Sequence, residues 1–551
     1  MASNSPFRTK RTSNDHRASS DVPLRKWSAK LASGWLAFIL LLGIAGEAHT
    51  QHEHHPGAVI RQIRIVRHDV FPDGAGKPAF VYQLANALHM VTRPGIIRRE
   101  LLFQEGELFD SELAAESERR LRNLPFLGQV EISAAPAGGD SVDIEITTHD
   151  QWSTLTSAII AGGGGRATYG GAVEEFNLLG FGKQLLAEAS HEREEGTTWT
   201  FRYRDPQFAG SRWLTDASVV TGPFVDLFSA SLLRPFFSPD TRWSWGISGG
   251  FSDRNIREFS AGSEVNRFRR EVASFAASAE NAFGRRYAKS RVRLRYRYQN
   301  RDFSELPGAT TALPQSELLH LLDVRLQREN RSFAEETHLD RFSKIEDVTL
   351  GSLTSVTLAR SGLIVPRGIR RFELLIERQQ GYRLSDEQYL FFGAAFSTYF
   401  DKETVLSSRL RYYNQVAGWQ TLACNVEFNY ARNTEVVPFL LGGDSGLRGF
   451  PARQFAGDRR LLVNLEDRLF TPITVLTVAL GGVAFVDAGH VWQVSEPMAL
   501  REINLSAGLG LRLGYTKSPN SRVGRIDFAW PIRGGGGFGI TVGIDQQFSI
   551  D

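Results

Sequence analysis

Hydrophobic and polar residues alternate one by one along most of this chain. Trp199, Phe201 and Tyr203 are interleaved with Thr200, Arg202 and Arg204, and Val292, Leu294, Tyr296 and Tyr298 with Arg291, Arg293, Arg295 and Arg297. The period recurs in Leu322, Val324 and Leu326 against Asp323, Arg325 and Gln327, and in Ile526, Phe528 and Trp530 against Arg525, Asp527 and Ala529. It closes with Phe538, Ile540, Val542 and Ile544 against Gly539, Thr541, Gly543 and Asp545. Successive side chains of a strand point to opposite faces, so each run predicts a strand with one apolar and one polar side. One such strand would suit a soluble sandwich. Many in succession from Trp152 onward, aromatic on one face and charged on the other, predict a transmembrane antiparallel β-barrel with lipid outside and a polar lumen. A direct count of segments reaches about 20 strands, a number that short amphipathic runs readily inflate.

The preceding segment, residues 59–150, reads as a small α/β module. Ile60, Ile63, Ile65 and Val66 predict an opening strand, and Tyr82–Leu88 a helical stretch. A second helix is expected from Asp110 to Leu124, capped by Asp110 or Ser111, with Leu113, Leu121 and Leu124 near one face. Val130–Ile132 and Val142–Ile146 alternate as half-buried strands do.

Composition narrows the class. The chain has 551 residues, 42% hydrophobic and 23% charged, with a net charge of +3 that gives no reason to expect a nucleic-acid partner. A single cysteine, Cys424, excludes a disulfide framework and any cysteine-based metal site. Arg8, Lys10, Arg11, Arg25, Lys26 and Lys30 precede an apolar run from Leu31 to Ala45, with Gly46-Glu47-Ala48 as a small-residue cleavage site. That run is shorter than the ~20 residues a spanning helix needs, so residues 1–48 are expected to be a signal peptide. His49, His52, His54 and His55 lie in a His-rich tail, residues 49–58, expected to be a solvated segment rather than a metal site. The barrel is assigned residues 151–551.

Two short segments carry the candidate chemistry. One is Gly442-Gly443-Asp444-Ser445-Gly446-Leu447-Arg448-Gly449-Phe450, and the other is Phe485-Val486-Asp487-Ala488-Gly489-His490-Val491-Trp492. Together they resemble the arginine-loop and strand-aspartate signatures of the BamA/TamA outer-membrane assembly barrels and their two-partner-secretion relatives. The resemblance implies a loop folded into its own barrel, with Arg448, Gly449 and Phe450 as the lumen motif. Asp487 and Glu466 are its expected carboxylate partners, because an unpaired buried guanidinium is costly. Period 2 puts Glu466 with Asn464 and Arg468 on the polar face, leaving Leu461, Val463 and Leu465 to lipid. Residues 96–132 resemble a POTRA domain, the family's periplasmic module, with Arg67–Phe80 read as an insertion. Asn177–Gly182 resembles the family's first periplasmic turn and Arg204–Phe208 the end of its fourth strand. Family resemblance implies about 16 strands, fewer than the direct count.

Gly443-Asp444-Ser445-Gly446 also has the form of a protease nucleophile loop, but no accompanying histidine and aspartate motif is recognisable, so no catalytic residue is assigned. Neither glycine tetrad, Gly162–Gly165 or Gly534–Gly537, carries the Lys-Ser/Thr ending of a phosphate loop. No cofactor is expected. The resemblance implies a factor that inserts or translocates outer-membrane or secreted proteins, with unfolded clients, membrane lipid and periplasmic accessory proteins as partners. Its seam would lie between Ser153–Ala161 and Phe538–Phe548, marked by Phe538 and Phe548. A two-partner secretion pore and a passive channel are the alternatives. Against the pore, the stretch between Ala48 and Val59 is too short for the plug helix that such transporters carry.

Overall fold

The computed structural model describes residues 57–71, 83, 86–87, 89–163, 166–193, 195–260, 263–307, 313–342, 344–363, 370–399, 403–434, 439–517 and 522–550. The expected signal peptide, most of the His-rich tail, Tyr82 and most of the Arg67–Phe80 insertion lie outside these residues.

The first unit of structure is a three-stranded sheet with two helices. Strand β1 (Val59–His68) pairs in parallel with β3 (Ser141–Asp150), which pairs antiparallel with β2 (Leu127–Pro136). Helix α1 (Pro94–Glu100) and helix α2 (Ser111–Arg122) complete it. The Asp110 side chain accepts from the backbone N–H groups of Glu112 and Leu113, satisfying two donors that a helix start leaves open. Ile60, Ile97, Leu121, Phe126, Ile144 and Ile146 form the core. Every second residue of β3 from Val142 is buried, and the period continues through Thr148 to Asp150, so a carboxylate is carried inside.

Twenty strands then close into one barrel. The wall starts with β4 (Thr154–Gly163), β5 (Arg166–Glu175), β6 (Gln184–Glu192), β7 (Gly196–Phe208), β8 (Trp213–Gly222) and β9 (Val225–Arg234). Five long strands follow: β10 (Trp243–Ser260), β11 (Ser263–Arg285), β12 (Ala288–Glu305), β13 (Glu317–Glu336) and β14 (Glu346–Ser361). Next are β15 (Phe372–Arg383), β16 (Gln388–Tyr399), β17 (Thr404–Ala417) and β18 (Gln420–Arg432). The connection after β18 carries a two-stranded ribbon, β19 (Phe439–Leu441) with β20 (Phe455–Gly457). Strands β21 (Arg459–Val475), β22 (Val478–Trp492), β23 (Asn504–Tyr515), β24 (Val523–Arg533) and β25 (Gly539–Ile544) complete the wall, and β25 lies beside β4. Family resemblance undercounted the strands, and the alternating segments counted directly are real.

The period-2 pattern sorts the two faces. Trp199, Phe201, Leu294, Leu326, Leu465 and Trp530 stand exposed on the outer surface. Inside, Arg295 and Arg297 of β12 bond to Asp323 of β13 at 2.7 and 3.0 Å, and Arg291 to Glu329 at 2.6 Å. A polar lumen of this kind holds its charges in pairs, because the alternative is an uncompensated charge away from bulk water. Asn177–Gly182 is the turn between β5 and β6, and Arg204–Phe208 ends β7, the fourth wall strand. Cys424 is a half-buried residue of β18.

Candidate functional site at the arginine loop and the barrel seam

Local backbone geometry makes the arginine loop. Gly446 and Gly449 adopt φ of +104° and +86°, a region that side chains with a Cβ rarely enter. A Cβ at Gly446 would stand 2.6 Å from Leu462 Cδ2, and one at Gly449 only 3.2 Å from Ala529 Cβ. Between these two bends Leu447 turns into an apolar cluster with Leu441, Phe450 and Leu462. Phe450 is buried and packs on Phe455 of β20 at 5.9 Å between ring centroids. With the apolar neighbours fixed, Arg448 has one direction left, into the lumen.

Arg448 is 0% exposed. Its Nε and Nη2 donate to the two oxygens of Asp487, each at 2.8 Å, and its backbone N–H reaches Asp487 Oδ2 at 3.2 Å. Nη1 donates to Glu466 Oε1 at 2.9 Å and to Asp527 Oδ2 at 3.2 Å. The guanidinium lies 3.5 Å above the ring of Phe485. Asn464 Nδ2 donates to Asp487 Oδ1 and to the Gly446 carbonyl, both at 2.8 Å, holding carboxylate and loop in register. A planar fork is needed here, since three acids approach it from strands β21, β22 and β24.

The network does not stop at Glu466. Its second oxygen accepts from Arg468 Nε at 2.9 Å, and Arg468 Nη1 donates to Asp340 Oδ1 at 2.6 Å. Asp340 lies between β13 and β14, on a connection folded into the barrel where Leu339 is fully buried. Arg512 of β23 bonds to Asp527 Oδ1 at 2.6 Å. Asp527, Arg512 and Asp340 were missed as site residues. Asp527 and Arg512 carry the right parity for the lumen, but so do many other charged residues; Asp340 sits in a turn, where no period applies.

Phe538 precedes β25, is exposed on the outer face and stacks on Phe528 at 6.3 Å. Phe548 requires a correction. The last strand ends at Ile544, not Phe548, because Asp545 takes φ of +66° and turns the chain inward. Phe548 is then buried beside Tyr413, Tyr389 and Leu339 instead of marking the seam. The seam runs between β4 and the six residues of β25. Gly162 and Gly163 end β4, and Gly534–Gly537 lie in the connection between β24 and β25.

Ser445 Oγ lies 3.4 Å from the Gly442 carbonyl and 3.4 Å from Asp444 Oδ1, and no imidazole bonds to it among the described residues. Among those residues no group of three or more His, Cys, Asp or Glu side chains is placed to hold a metal ion.

A second polar centre joins the α/β module to the wall. Asp150 Oδ2 accepts from the N–H and hydroxyl of Thr92 at 2.7 and 2.8 Å, and Asn177 of the β5–β6 turn donates to Thr92 Oγ1 at 2.9 Å. Burial pushes the Asp150 carboxyl up to about 6, against the opposing pull of the Thr92 hydrogen bonds and of His89, whose Nε2 is 3.7 Å away. Arg122 of α2 bonds to Glu335 of β13 at 2.5 Å and to Asp347 of β14 at 2.8 Å. Burial disfavours its charge, but Asp347, Glu335 and Glu118 outweigh that and raise its pKa.

The Omp85 superfamily domain matches residues 177–549, more than half of the chain and the whole of the arginine-loop network. The chain belongs to the Omp85 superfamily. Omp85 barrels reside in the outer membrane and serve protein insertion or translocation. Among solved structures, BamA from Haemophilus ducreyi lacking POTRA domains 1–3 is 15% identical, covering 89% of this chain and 83% of that one with a TM-score of 0.39. CdiB from Acinetobacter baumannii is 12% identical, covering 96% and 99% with a TM-score of 0.43. CdiB from Escherichia coli is also 12% identical, covering 95% and 97% with a TM-score of 0.40. No curated protein matches the chain by sequence.

Proposed function

We propose that this Omp85 barrel assembles outer-membrane proteins by opening laterally between β4 and β25. The observation that carries the reading is the disparity between seam and wall. Strands β10 to β13 are 18 to 23 residues long, whereas β25 has six and includes Gly539 and Gly543. Few ladder hydrogen bonds and missing side chains hold β25 weakly, and β4, unlike β24, is not joined to it by a turn, so the wall can part there. A client strand would pair with the exposed edge, exchanging one ladder for another.

The arginine loop bears directly on that line. The Cβ position of Gly539 is 3.1 Å from Gly449 Cα, so the loop backbone packs on the seam strand itself. Arg448 holds the loop there and is a positioning residue, with Asp487, Glu466 and Asp527 as its anchors. Strand β2, at the edge of the POTRA sheet, supplies a docking edge for an extended client. No bond is made or broken in such a process and no catalytic group is needed.

Depletion followed by quantitative outer-membrane proteomics tests the reading. Assembly predicts loss of many barrel proteins at once. Loss of a single exported protein would mark a dedicated secretion pore, and an unchanged profile would leave a passive channel.

A further inference from the structure

One connection of the barrel is built differently from its neighbours. At the end adjoining the α/β module, β11–β12 and β15–β16 are joined by two and four residues, whereas residues 337–345 join β13 to β14. A hairpin needs no such length. The extra residues fold inward along the wall. Gln415 of β17 donates to the Thr337 carbonyl at 2.6 Å, and Thr421 of β18 to the His338 carbonyl at 2.7 Å. Arg468 of β21 reaches the Leu339 carbonyl at 3.1 Å. Glu346, the first residue of β14, gathers the bend by accepting from the N–H groups of Leu339, Asp340 and Arg341 at 3.0, 3.1 and 3.3 Å.

Phe342 is the tip. Five wall strands, β15, β16, β17, β18 and β21, separate β14 from β22, yet the Phe342 ring reaches past them. It meets Phe470 of β21 edge-on at 5.0 Å and packs with Ala479 of β22 and Val523 of β24. At Gly514 of β23 the three atoms nearest to an added Cβ would all belong to Phe342, the closest at 2.4 Å. Gly514 takes no positive φ, so its backbone does not call for glycine; the ring does.

The root of the connection is charged. Glu335 of β13 and Asp347 of β14 are paired directly across the two strands, a relation in which like charges push the strands apart. Arg122 of α2 stands between them, bonded to both.

We propose that the β13–β14 connection is a built-in plug, with Phe342 as its stopper and Arg122 as its clamp. Barrels of about 16 strands or more enclose an aqueous channel unless something fills it, and here the connection closes the end next to the module. Drawing α2 away from the wall leaves Glu335 and Asp347 facing each other, so the root loosens and the tip withdraws from Gly514. The α/β module thereby governs whether the lumen is open at its end. The plug does not rest on the lateral-opening reading.

The test uses the full chain in liposomes, with uptake of a small sugar read by swelling. Uptake should be low for the unaltered protein and at least about tenfold higher for Phe342→Ala and for Gly514→Leu, which fills the socket. Heat-modifiable gel migration verifies that each variant is folded. In a Cys424→Ser background, Phe342→Cys with Gly514→Cys should form a disulfide, because a Cβ at Gly514 lies 2.9 Å from Phe342 Cβ. That pair should be sealed when oxidised and leak when reduced. Arg122→Ala should also raise uptake. Equal uptake by the unaltered protein and the Phe342→Ala and Gly514→Leu variants overturns the plug, and so does a disulfide that forms without lowering uptake. A leak in the Phe342 variants but not in Arg122→Ala overturns the clamp. No readout involves a client or the seam, so a failed assembly reading and a failed plug are told apart.

Discussion

Asp487 grips Arg448 with both carboxylate oxygens, one on Nε and one on Nη2, each at 2.8 Å. The remaining nitrogen, Nη1, turns to Glu466 and Asp527. One cation therefore ties a loop to three separate strands of the wall. Removing it leaves facing carboxylates buried together.

Arg448→Ala should cost about 3–5 kcal/mol, the range for deleting one partner of a buried pair. Heat-modifiable migration should be lost at a lower temperature, and the segment around Gly442–Gly457 should become protease-sensitive. Arg448→Lys should recover only part of this, because a single ammonium cannot span two acids in one plane. Asp487→Asn should resemble Arg448→Ala.

Glu466→Gln should spread further than Asp527→Asn. Glu466 serves Arg448 on one oxygen and Arg468 on the other, so its loss loosens both the loop and the Asp340 connection. Combined with Arg448→Ala it should be less than additive by about 0.5–3 kcal/mol, since one interaction is then deleted from both sides. Hydrogen exchange read separately over the loop and over Leu339–Phe342 distinguishes the two effects.

Arg122→Ala should loosen the α/β module where α2 meets strands β13 and β14. Three carboxylates, Glu118, Glu335 and Asp347, lose a shared cation that is only 5% exposed. Protease cleavage within the domain should rise while the barrel's heat-modifiable migration stays unchanged.

The domain junction should also respond to pH. Asp150 is raised to about 6 in the folded chain, so between the ordinary carboxylate range and pH 6 the folded state holds a proton that the unfolded state has lost. Local stability should therefore fall as pH rises through that window, by up to about 3 kcal/mol, and level off above it. Asp150→Asn keeps the acceptor for Thr92 and should flatten the profile. Exchange of the Thr92 amide, corrected for its intrinsic rate, measures this.

Much of this architecture is legible in the sequence, for a plain reason. A strand between lipid and lumen must alternate, and Leu465 beside Glu466 or Phe528 beside Asp527 shows that alternation without any partner in view. Parity alone brings Glu466 and Asp487 to the lumen, and a recognisable motif is what singles out Arg448. Asp340 is illegible because it belongs to a turn that folds inward, and its role depends on what the far wall offers. Phe548 misleads, because its parity extends a strand that the backbone at Asp545 abandons. The strand number was misjudged only where a family average displaced a direct count.

Locking the seam tests the central claim most directly. Cysteine pairs placed along Thr154–Gly163 and Gly539–Ile544 should crosslink on oxidation, since these strands are neighbours. With the crosslink in place, cells relying on this protein should accumulate unassembled outer-membrane clients, and a reductant should restore assembly. A barrel that is fully crosslinked yet assembles its clients at the normal rate would contradict lateral opening between β4 and β25.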